Sequence, residues 1–354
     1  MQNIKDIRLL SQLLYGSDLV SPREVVAWMG AMQAQDYNMA KWAVGIRLKS
    51  ATEQLVEEAL NRGEILRTHV MRPTWHFVAQ EDIRWMLRLS AQRIKSSSVS
   101  RDRALEITED LYSKCNDLLV RILEGNNFLT REEVGMEFKK AGIAVNTARM
   151  IHFMMRAEVE GIVCSGPVRN KKLTYALIEE RVAPVKELHK DEALAKLALN
   201  YFRSHSPASL QDFIWWSGLS VADAKQAIAS IETELISEKF ASQELFIHQL
   251  YAKELKVDKV LHLLPGFDEY IISYKDRTSV VASEHQSKAF TNNGTFYPTI
   301  MCNGQVVGVW KKSVLKTSIK IDTTFFEQTL QPQQKALAKA ENVYLKYLGL
   351  PVSK

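Results

Sequence analysis

A repeated order of local signals is the feature that most constrains how this chain folds. It is clearest where Thr130 and Glu133 match a capping box at the start of T-R-E-E-V-G-M-E-F-K-K-A-G, and Gly142 ends that helix. A second helix follows in V-N-T-A-R-M-I-H-F-M-M-R-A-E-V-E-G, and I-V-C-S-G-P-V-R-N-K-K-L-T-Y-A-L gives two short strands around a basic tip. Helix, turn, helix and hairpin is the order of a winged helix, which predicts one such module over 101–185.

The same order recurs on both sides of that module. In 1–100, Ser21 and Glu24 match a capping box around Pro22, and a later hairpin turns at Pro73. The residues expected to form the buried stripe of the capped helix and to continue it are Val25, Met29 and Met32. In 186–260, caps are expected at Ser209 and Ser220, a helix stop at Gly218, and at least one of Trp215 and Trp216 in the core. Within 101–185, a long helix from about Arg103 to Leu123 is expected before the capped helix.

The C-terminal part, 261–354, has a different pattern. Helical periodicity gives way to short apolar runs, and Asn303-Gly304 between two of them predicts a tight hairpin. We expect a small barrel or curled sheet followed by an exit helix after Gln331, so that the whole chain is α+β and mainly helical. Turn and capping roles are favoured for the adjacent acids Asp268 and Glu269.

Composition limits the classes of protein and partner. A chain of 354 residues exceeds one ordinary core, and no apolar run approaches the roughly 20 residues that span a bilayer. The first residues lack the pattern of a signal peptide, so a cytoplasmic protein is expected, and the three separated cysteines are expected to be reduced. A net charge of +5 permits binding to nucleic acid without requiring it.

Two basic clusters are candidates for DNA contact. The stretch R-W-M-L-R-L-S-A-Q-R-I-K-S-S-S-V-S-R-D-R contains a single acid, and it is either a solvated helix face or a surface that meets phosphates. The hairpin tip of 101–185 is the second cluster, although basic residues on hairpin tips often serve only solubility. The candidate DNA-binding residues are Arg84, Arg88, Arg93 and Lys95 in the first cluster and Arg169, Lys171 and Lys172 in the second.

The stretch A-M-Q-A-Q-D-Y-N-M places Gln33 and Gln35 where the first buried stripe ends. Side chains at positions i and i+2 point to different sides inside a helix and share a face on extended or helix-ending backbone, so the pair can act together only if the helix has ended there. Two alternatives stand on this pattern alone: a pair of amides that satisfies backbone groups at a helix end, or a functional pair.

Several common chemistries have no motif in this chain. It lacks a phosphate-binding P-loop, a dinucleotide-binding glycine fingerprint, a zinc-binding H-E-x-x-H and a G-x-S-x-G nucleophile elbow. Its eight histidines are scattered, and His69 and His76 have no third ligand nearby in sequence. We therefore expect neither a cofactor nor a bound metal.

Four blocks in order resemble the winged-helix DNA glycosylases of the AlkZ and YcaQ type. They are W-M-G-A-M-Q-A-Q, I-L-R-T-H-V-M-R-P-T-W-H-F-V, S-P-A-S-L-Q-D-F-I-W-W-S-G-L and L-L-P-G-F-D-E-Y-I-I-S-Y-K-D-R. The resemblance implies three tandem winged-helix modules, a C-terminal barrel-like domain and a basic channel for duplex DNA. It also implies a monofunctional glycosylase that releases alkylated, cationic purines of the N7-alkylguanine type, in some members including bulky adducts and interstrand crosslinks.

The family signature is glutamine, an apolar residue, and then glutamine or aspartate. Gln33 and Gln35 match the form that ends in glutamine, so the resemblance assigns them the catalytic role, and Asp36 is one position off. Tyr37, Arg72 and His76 are candidates for lining the site because they flank the pair and the first hairpin. A cationic purine is already a good leaving group, so neutral amides that orient a water are sufficient chemistry.

Two other functions remain open at this stage. Winged helices more often bind DNA without cutting it, as in transcription regulators, and a relative of the enzymes that has lost activity could serve as a scaffold. Three fused modules favour a monomer associated with the nucleoid, with alkylated duplex DNA as its partner and no obligate protein partner or membrane.

Overall fold

The computed structural model describes residues 4–240, 243–253, 256–314 and 319–351. Contacts divide the chain into two compact units, which we call the split unit (Met1–Glu57 with Ala195–Lys354) and the central unit (Glu58–Leu194). Helical residues predominate over strand residues and the sheets are antiparallel, so the predicted α+β, mainly helical class is confirmed. No helix in the described ranges is long and apolar enough to cross a membrane.

The helices of the described residues, in chain order, are Ile4–Ser11 (α1), Pro22–Met29 (α2), Tyr37–Gly45 (α3), Glu53–Asn61 (α4), Ile83–Ala104 (α5), Glu109–Leu123 (α6), Arg131–Lys140 (α7), Thr147–Val159 (α8), Ile178–Arg181 (α9), Lys190–His205 (α10), Leu210–Ser217 (α11), Val221–Ala229 (α12), Glu269–Ile272 (α13), Gln286–Ala289 (α14) and Gln334–Tyr347 (α15). The strands are Met32–Gln33 (β1), Ile65–Val70 (β2), Thr74–Ala79 (β3), Leu129–Thr130 (β4), Val163–Ser165 (β5), Thr174–Leu177 (β6), Leu235–Phe240 (β7), Gln243–His248 (β8), Leu261–Leu264 (β9), Thr299–Cys302 (β10), Gln305–Val314 (β11) and Ile319–Phe325 (β12).

The central unit follows the predicted order of helices and hairpin closely. Thr130 and Glu133 form the capping box that starts α7, with each side chain accepting the other residue's N–H. The next helix, α8, is followed by the antiparallel strands β5 and β6. Apolar side chains of α6, α7 and α8 form one buried cluster around Leu119, Val134 and Phe153, which anchors this hairpin.

The predicted helix from Arg103 to Leu123 is wrong at its start. The basic stretch continues α5 through Ala104, and a turn with Glu106 at φ 54° separates it from α6. Thr108 then caps α6 by accepting the N–H of Leu111. The sequence prediction missed this cap because it followed the pattern of charged residues.

In the split unit, α11 and α12 begin at the predicted caps. Ser209 forms a capping box with Asp212, Gly218 ends α11 at φ 71°, and Ser220 starts α12. Trp216 is fully buried, which confirms that at least one of the paired tryptophans is core. The hairpin β7–β8 follows, so this stretch also reads helix, helix and hairpin.

The C-terminal strands form an open sheet in the described residues. Its order is β12-β11-β10-β9, with β9 and β12 at its edges, so a closed barrel is not formed. Asn303 and Gly304, at φ 50° and 77°, make the predicted tight hairpin between β10 and β11. Leu9 and Leu14 from the start of the chain join the same core as Leu264 and Met301, which is why the two chain ends share one unit.

Candidate functional site

The Q-A-Q segment follows the end of helix α2, as predicted, and Gln33 lies on a short extended strand. Gly30 at φ 77° ends α2, and β1 then carries Met32 and Gln33. The helix starts at Pro22 as expected, but Ser21 makes no side-chain capping bond, so the predicted capping box is wrong. The buried stripe of Val25, Met29 and Met32 is confirmed.

Gln33 and Gln35 stand in different environments. Gln33 is only 6% exposed, whereas Gln35 is exposed, with buried Ala34 between them. Asp36 caps α3 by accepting the N–H groups of Asn38 and Met39, both at 3.1 Å. Asp36 is therefore occupied as a helix cap, and Gln35 is the member of the pair that solvent reaches.

A buried carboxylate holds the backbone of Gln33. Oε1 of Glu269 accepts the Gln33 backbone N–H at 2.6 Å. Oε2 of the same group accepts the indole N–H of Trp216 at 3.2 Å and the hydroxyl of Ser273. Glu269 is 1% exposed, so this side chain bridges α13, α11 and the glutamine segment from inside the unit.

Glu269 is ionised despite its burial. Burial raises the pKa of a carboxyl group, but the opposing interactions with His205, Ser273 and the backbone N–H of Gln33 lower the pKa of Glu269 to about 2. The imidazole Nε2 of His205 lies 3.8 Å from Oε2 of Glu269. The site thus contains a fixed negative charge directly behind the Q-A-Q backbone.

His205 lies beside that carboxylate as a fully buried ring. Burial lowers the pKa of His205. The ring stacks on Tyr201 with centroids 4.8 Å apart, and Nδ1 contacts the hydroxyl oxygen of Ser204 at 2.8 Å. Three donors, the backbone N–H of Gln33, the indole N–H of Trp216 and the hydroxyl of Ser273, meet the carboxylate of Glu269 and favour its charged form.

Asp268 has the capping role predicted for it and a further one. Its side chain caps α13 by accepting the N–H of Tyr270, and it forms a fully buried bidentate ion pair with Arg47 at 2.8 and 2.9 Å. Arg47 also donates to the backbone carbonyl of Gln12 at 2.9 Å. Because removal of one partner from a buried pair costs about 3–5 kcal/mol, this network fixes the start of α13 and hence Glu269.

The predicted turn or capping role for Glu269 is wrong, since its carboxylate serves the glutamine segment. Glu269, His205 and Trp216 are site residues that the sequence reasoning missed. The available signal was the acid pair Asp268-Glu269 within an otherwise apolar run, since acids inside such a run need buried partners.

Tyr37 is held by a charged cluster on the other side of Asp36. Its hydroxyl donates to Glu57 at 3.2 Å, and the ammonium of Lys41 lies 2.7 Å from Glu57, 2.9 Å from Glu53 and 5.1 Å from the centre of the Tyr37 ring. Arg72 and His76 belong to the central unit, where His76 is fully buried and its Nδ1 lies 2.9 Å from the carbonyl oxygen of Thr74. Their place in lining the site stays a prediction.

The candidate DNA-binding residues of the central unit fall into two groups, those with a carboxylate partner among the residues that the structure describes and those without one. The paired residues are Arg84 with Glu179, Arg88 with Glu187, Lys95 with Glu160, Arg169 with Glu133 and Lys172 with Glu132. Arg93 on α5 and Lys171 on the β5–β6 tip are exposed and have no carboxylate partner within the described chain. These two carry the least neutralised charge of the set.

No group of three or more His, Cys, Asp or Glu side chains in the described ranges is arranged to hold a metal ion. The three cysteines are free thiols, as predicted, and burial raises the pKa of Cys115 and of Cys164 to about 12.

Comparisons with known proteins agree on one family. A family model described as AlkZ-like DNA glycosylase matches residues 26–347. The interstrand DNA cross-link repair glycosylase of Streptomyces sahachiroi is 24% identical over 318 residues, which are 86% of this chain and 85% of that protein. The solved structure of the Streptomyces sahachiroi DNA glycosylase AlkZ matches with a TM-score of 0.82 at 22% identity, covering 98% of this chain and 96% of that one.

Proposed function

Because the chain belongs to the AlkZ-like DNA glycosylase family, we propose that it releases N7-alkylated, cationic purines from duplex DNA. As a DNA glycosylase it hydrolyses N-glycosyl bonds. Water adds to C1′ of the deoxyribose, the base leaves with the bonding electron pair as a neutral molecule, and the water's proton passes to solvent. A cationic base leaves without being protonated, so the departure of the base requires no general acid.

The contact between Glu269 and Gln33 is the observation that carries this proposal. It fixes a backbone on which Gln35 is exposed, and it places a buried anion next to that backbone. The amide of Gln35 offers an acceptor oxygen and two donor hydrogens that orient the attacking water. The anion favours the positive charge that develops on the sugar as the base departs.

Gln33 has a supporting part in this scheme. Its side chain is largely buried, and its backbone N–H is committed to Glu269. It orients the water together with Gln35 and sets the position from which Gln35 projects. The two glutamines thus act on one water, with Gln35 in contact with DNA.

The architecture that accompanies this function is three winged-helix modules over 1–100, 101–185 and 186–260, followed by the strand-rich region 261–354. The order α7, α8, β5–β6 and the order α11, α12, β7–β8 support two of these modules. Such a chain binds alkylated duplex DNA as a monomer, because the modules are already fused.

Interstrand crosslinks joined through N7 of guanine are a second substrate class for the same site. The name of the Streptomyces sahachiroi relative, an interstrand DNA cross-link repair glycosylase, favours them. The chemistry is unchanged, since each crosslinked guanine is again an N7-alkylated cation.

The test is release of N7-methylguanine from an alkylated duplex by the wild type and by Gln35→Ala. We expect Gln35→Ala to lose about 100-fold or more in the single-turnover rate, the scale seen when one oriented polar group is removed from an active site, with unchanged affinity for DNA. Asn38→Ala removes another exposed amide three residues away and is the matched control, expected to keep the wild-type rate. Equal rates in wild type and Gln35→Ala would refute the catalytic role.

A further inference from the structure

The central unit contains a cleft of about 350 Å³ that the glycosidic chemistry does not use. It opens beside β2, β3 and the β5–β6 hairpin, and its volume lies at the small end of the roughly 300–1,000 Å³ of ligand pockets. The lining residues that matter here are Arg67, Trp75, Arg131, Glu158, Lys172 and Tyr175. We call it the hairpin cleft.

One wall of the hairpin cleft is aromatic. The guanidinium of Arg67 lies 4.1 Å from the centre of the Trp75 ring, and the ring of His69 lies 4.4 Å from it. His69 and Trp75 are direct cross-strand neighbours on β2 and β3, so this wall is set by the hairpin register. Flat rings beside a guanidinium favour a planar ligand such as a nucleobase.

Part of the cleft lining is cationic. Arg131 at the start of α7 has two buried nitrogens, Nε and Nη2, without a hydrogen-bond partner. Lys172 is exposed and meets Glu132 only at 3.7 Å. Unsatisfied guanidinium donors beside a weakly paired lysine favour an anionic, acceptor-rich group such as a phosphodiester.

The lining of the cleft also contains a carboxylate. Oε2 of Glu158 accepts the backbone N–H of His69 at 2.9 Å and lies 2.5 Å from its Nδ1, and Glu158 is 1% exposed. A carboxylate there repels a bare phosphate but accepts N–H groups from the edge of a base. The cleft therefore matches a ligand that is anionic at one end and a hydrogen-bond donor at the other.

We propose that the hairpin cleft binds one unstacked nucleotide of DNA, with its phosphodiester at Arg131 and Lys172 and its base beside Trp75. Glycosylases act on DNA whose stacking is disturbed, and a pocket for an unstacked nucleotide stabilises such a distorted duplex. Each base stacked on an aromatic side chain contributes about 1–3 kcal/mol, which is about 5- to 150-fold in affinity.

The test compares binding of two unalkylated duplexes, one flush and one with a single bulged 2-aminopurine nucleotide. Wild type should bind the bulged duplex at least 5-fold more tightly and quench the 2-aminopurine fluorescence as the base stacks. Arg131→Gln, Trp75→Leu and Lys172→Gln should each reduce that preference, and Lys172→Gln keeps the test valid if Trp75→Leu fails to fold. Lys114→Gln, an exposed lysine on α6 outside the cleft, is the control that should keep it.

A wild type without preference for the bulge, or variants that keep the preference, would overturn the proposal. Free deoxyguanosine monophosphate that competes at micromolar concentration would also overturn it, because the cleft would then be a mononucleotide site. Base release from the flush alkylated duplex is measured separately with Gln35→Ala. If base release is absent but the bulge preference is intact, the proposed function fails and this inference stands. If base is released but the bulge preference is absent, this inference fails and the proposed function stands.

Discussion

Glu269 places a negative charge behind the Q-A-Q segment, whose own side chains are neutral. It is ionised, 1% exposed, and bonded to the backbone of Gln33 rather than to anything outside the protein. In the proposed mechanism it acts through position and field and not through contact with substrate. For scale, two unit charges about 8 Å apart interact by about 2 kcal/mol at an effective dielectric constant of about 20, which corresponds to about 30-fold in rate.

Replacing Glu269 by glutamine keeps the shape and removes the charge. We expect Glu269→Gln to slow base release about 10- to 30-fold in single-turnover assays and to lower stability by about 1–3 kcal/mol, because its buried donors lose a charged acceptor. Ser273→Ala is the matched variant, since it removes one hydrogen bond to the same carboxylate and leaves its charge. Equal slowing in both variants would show that the charge has no separate role.

The sequence predicted the roles of some individual residues but not their long-range contacts. The assignment of Gln33 and Gln35 to the site rests on a family motif and stays a prediction, whereas the caps at Thr130 and Ser209 followed from local rules, since a cap needs only neighbours. The link from Gln33 to Glu269 spans 236 positions. Such a pairing depends on the packed fold, and no local pattern in one sequence contains it.

Gly30 sets the direction in which the chain leaves α2 and enters β1. Its φ of 77° suits glycine, and a Cβ here would lie 3.3 Å from the Cβ of Asn200 on α10 and 3.5 Å from Trp216. A side chain at this turn would strain the backbone and push on the tryptophan that donates to Glu269.

We expect Gly30→Ala to lower the free energy of unfolding by about 2–3 kcal/mol and to reduce base release as well, because the glutamine segment shifts. Gly16→Ala is the control, since Gly16 has a similar φ of 70° but no atoms within 4 Å of the added Cβ. It should cost only about 1 kcal/mol and leave base release unchanged. Urea unfolding and the base-release assay measure both quantities, and similar losses in the two variants would contradict the steric explanation.

The basic residues of helix α5 and of the β5–β6 tip differ in whether a carboxylate pairs with them. Arg93 and Lys171 have no carboxylate partner among the described residues, whereas Arg84 and Arg169 do. We expect Arg93→Gln and Lys171→Gln each to weaken binding to unmodified duplex and to reduce the salt dependence by about one phosphate contact. Arg84→Gln should have a smaller effect, and a larger one in a salt titration would show that ion pairing does not rank these residues.

Elements with strong local signals were predicted best. The hairpins at Pro73 and Asn303-Gly304 and the helix after Gln331 are present, because turn chemistry and periodicity act over a few residues. The break between α5 and α6 was missed because the run of basic and serine residues concealed the cap at Thr108. The open edges of the C-terminal sheet depend on strand pairing over long separations, which period-two patterns leave undetermined.

Acid sensitivity is a property of the split unit as a whole. Burial lowers the pKa of His205, His248 and His262 below the ordinary 6.5. The unfolded chain then binds their protons more tightly than the folded chain does, so stability falls as the pH drops below about 6.5. Each histidine contributes at most about 1.4 kcal/mol per pH unit.

We expect the free energy of unfolding in urea to be lower at pH 5.5 than at pH 7.5. His262→Gln should reduce that difference, since the amide can still donate to the carbonyl oxygen of Leu14 that His262 Nε2 contacts at 2.7 Å. His189→Gln, at an exposed position, should leave the difference unchanged. A pH dependence equal in wild type and His262→Gln would exclude a contribution from this ring.

The split unit is built from both ends of the chain, with Gln33 in its first segment and Glu269 in its second. During synthesis the glutamine motif leaves the ribosome early, and its carboxylate follows 236 residues later, after about 10–50 s at usual elongation rates. The central unit emerges in between and can fold first. A nascent chain therefore carries the glutamine motif without its anchoring carboxylate until Glu269 has been synthesised and can pack against Gln33.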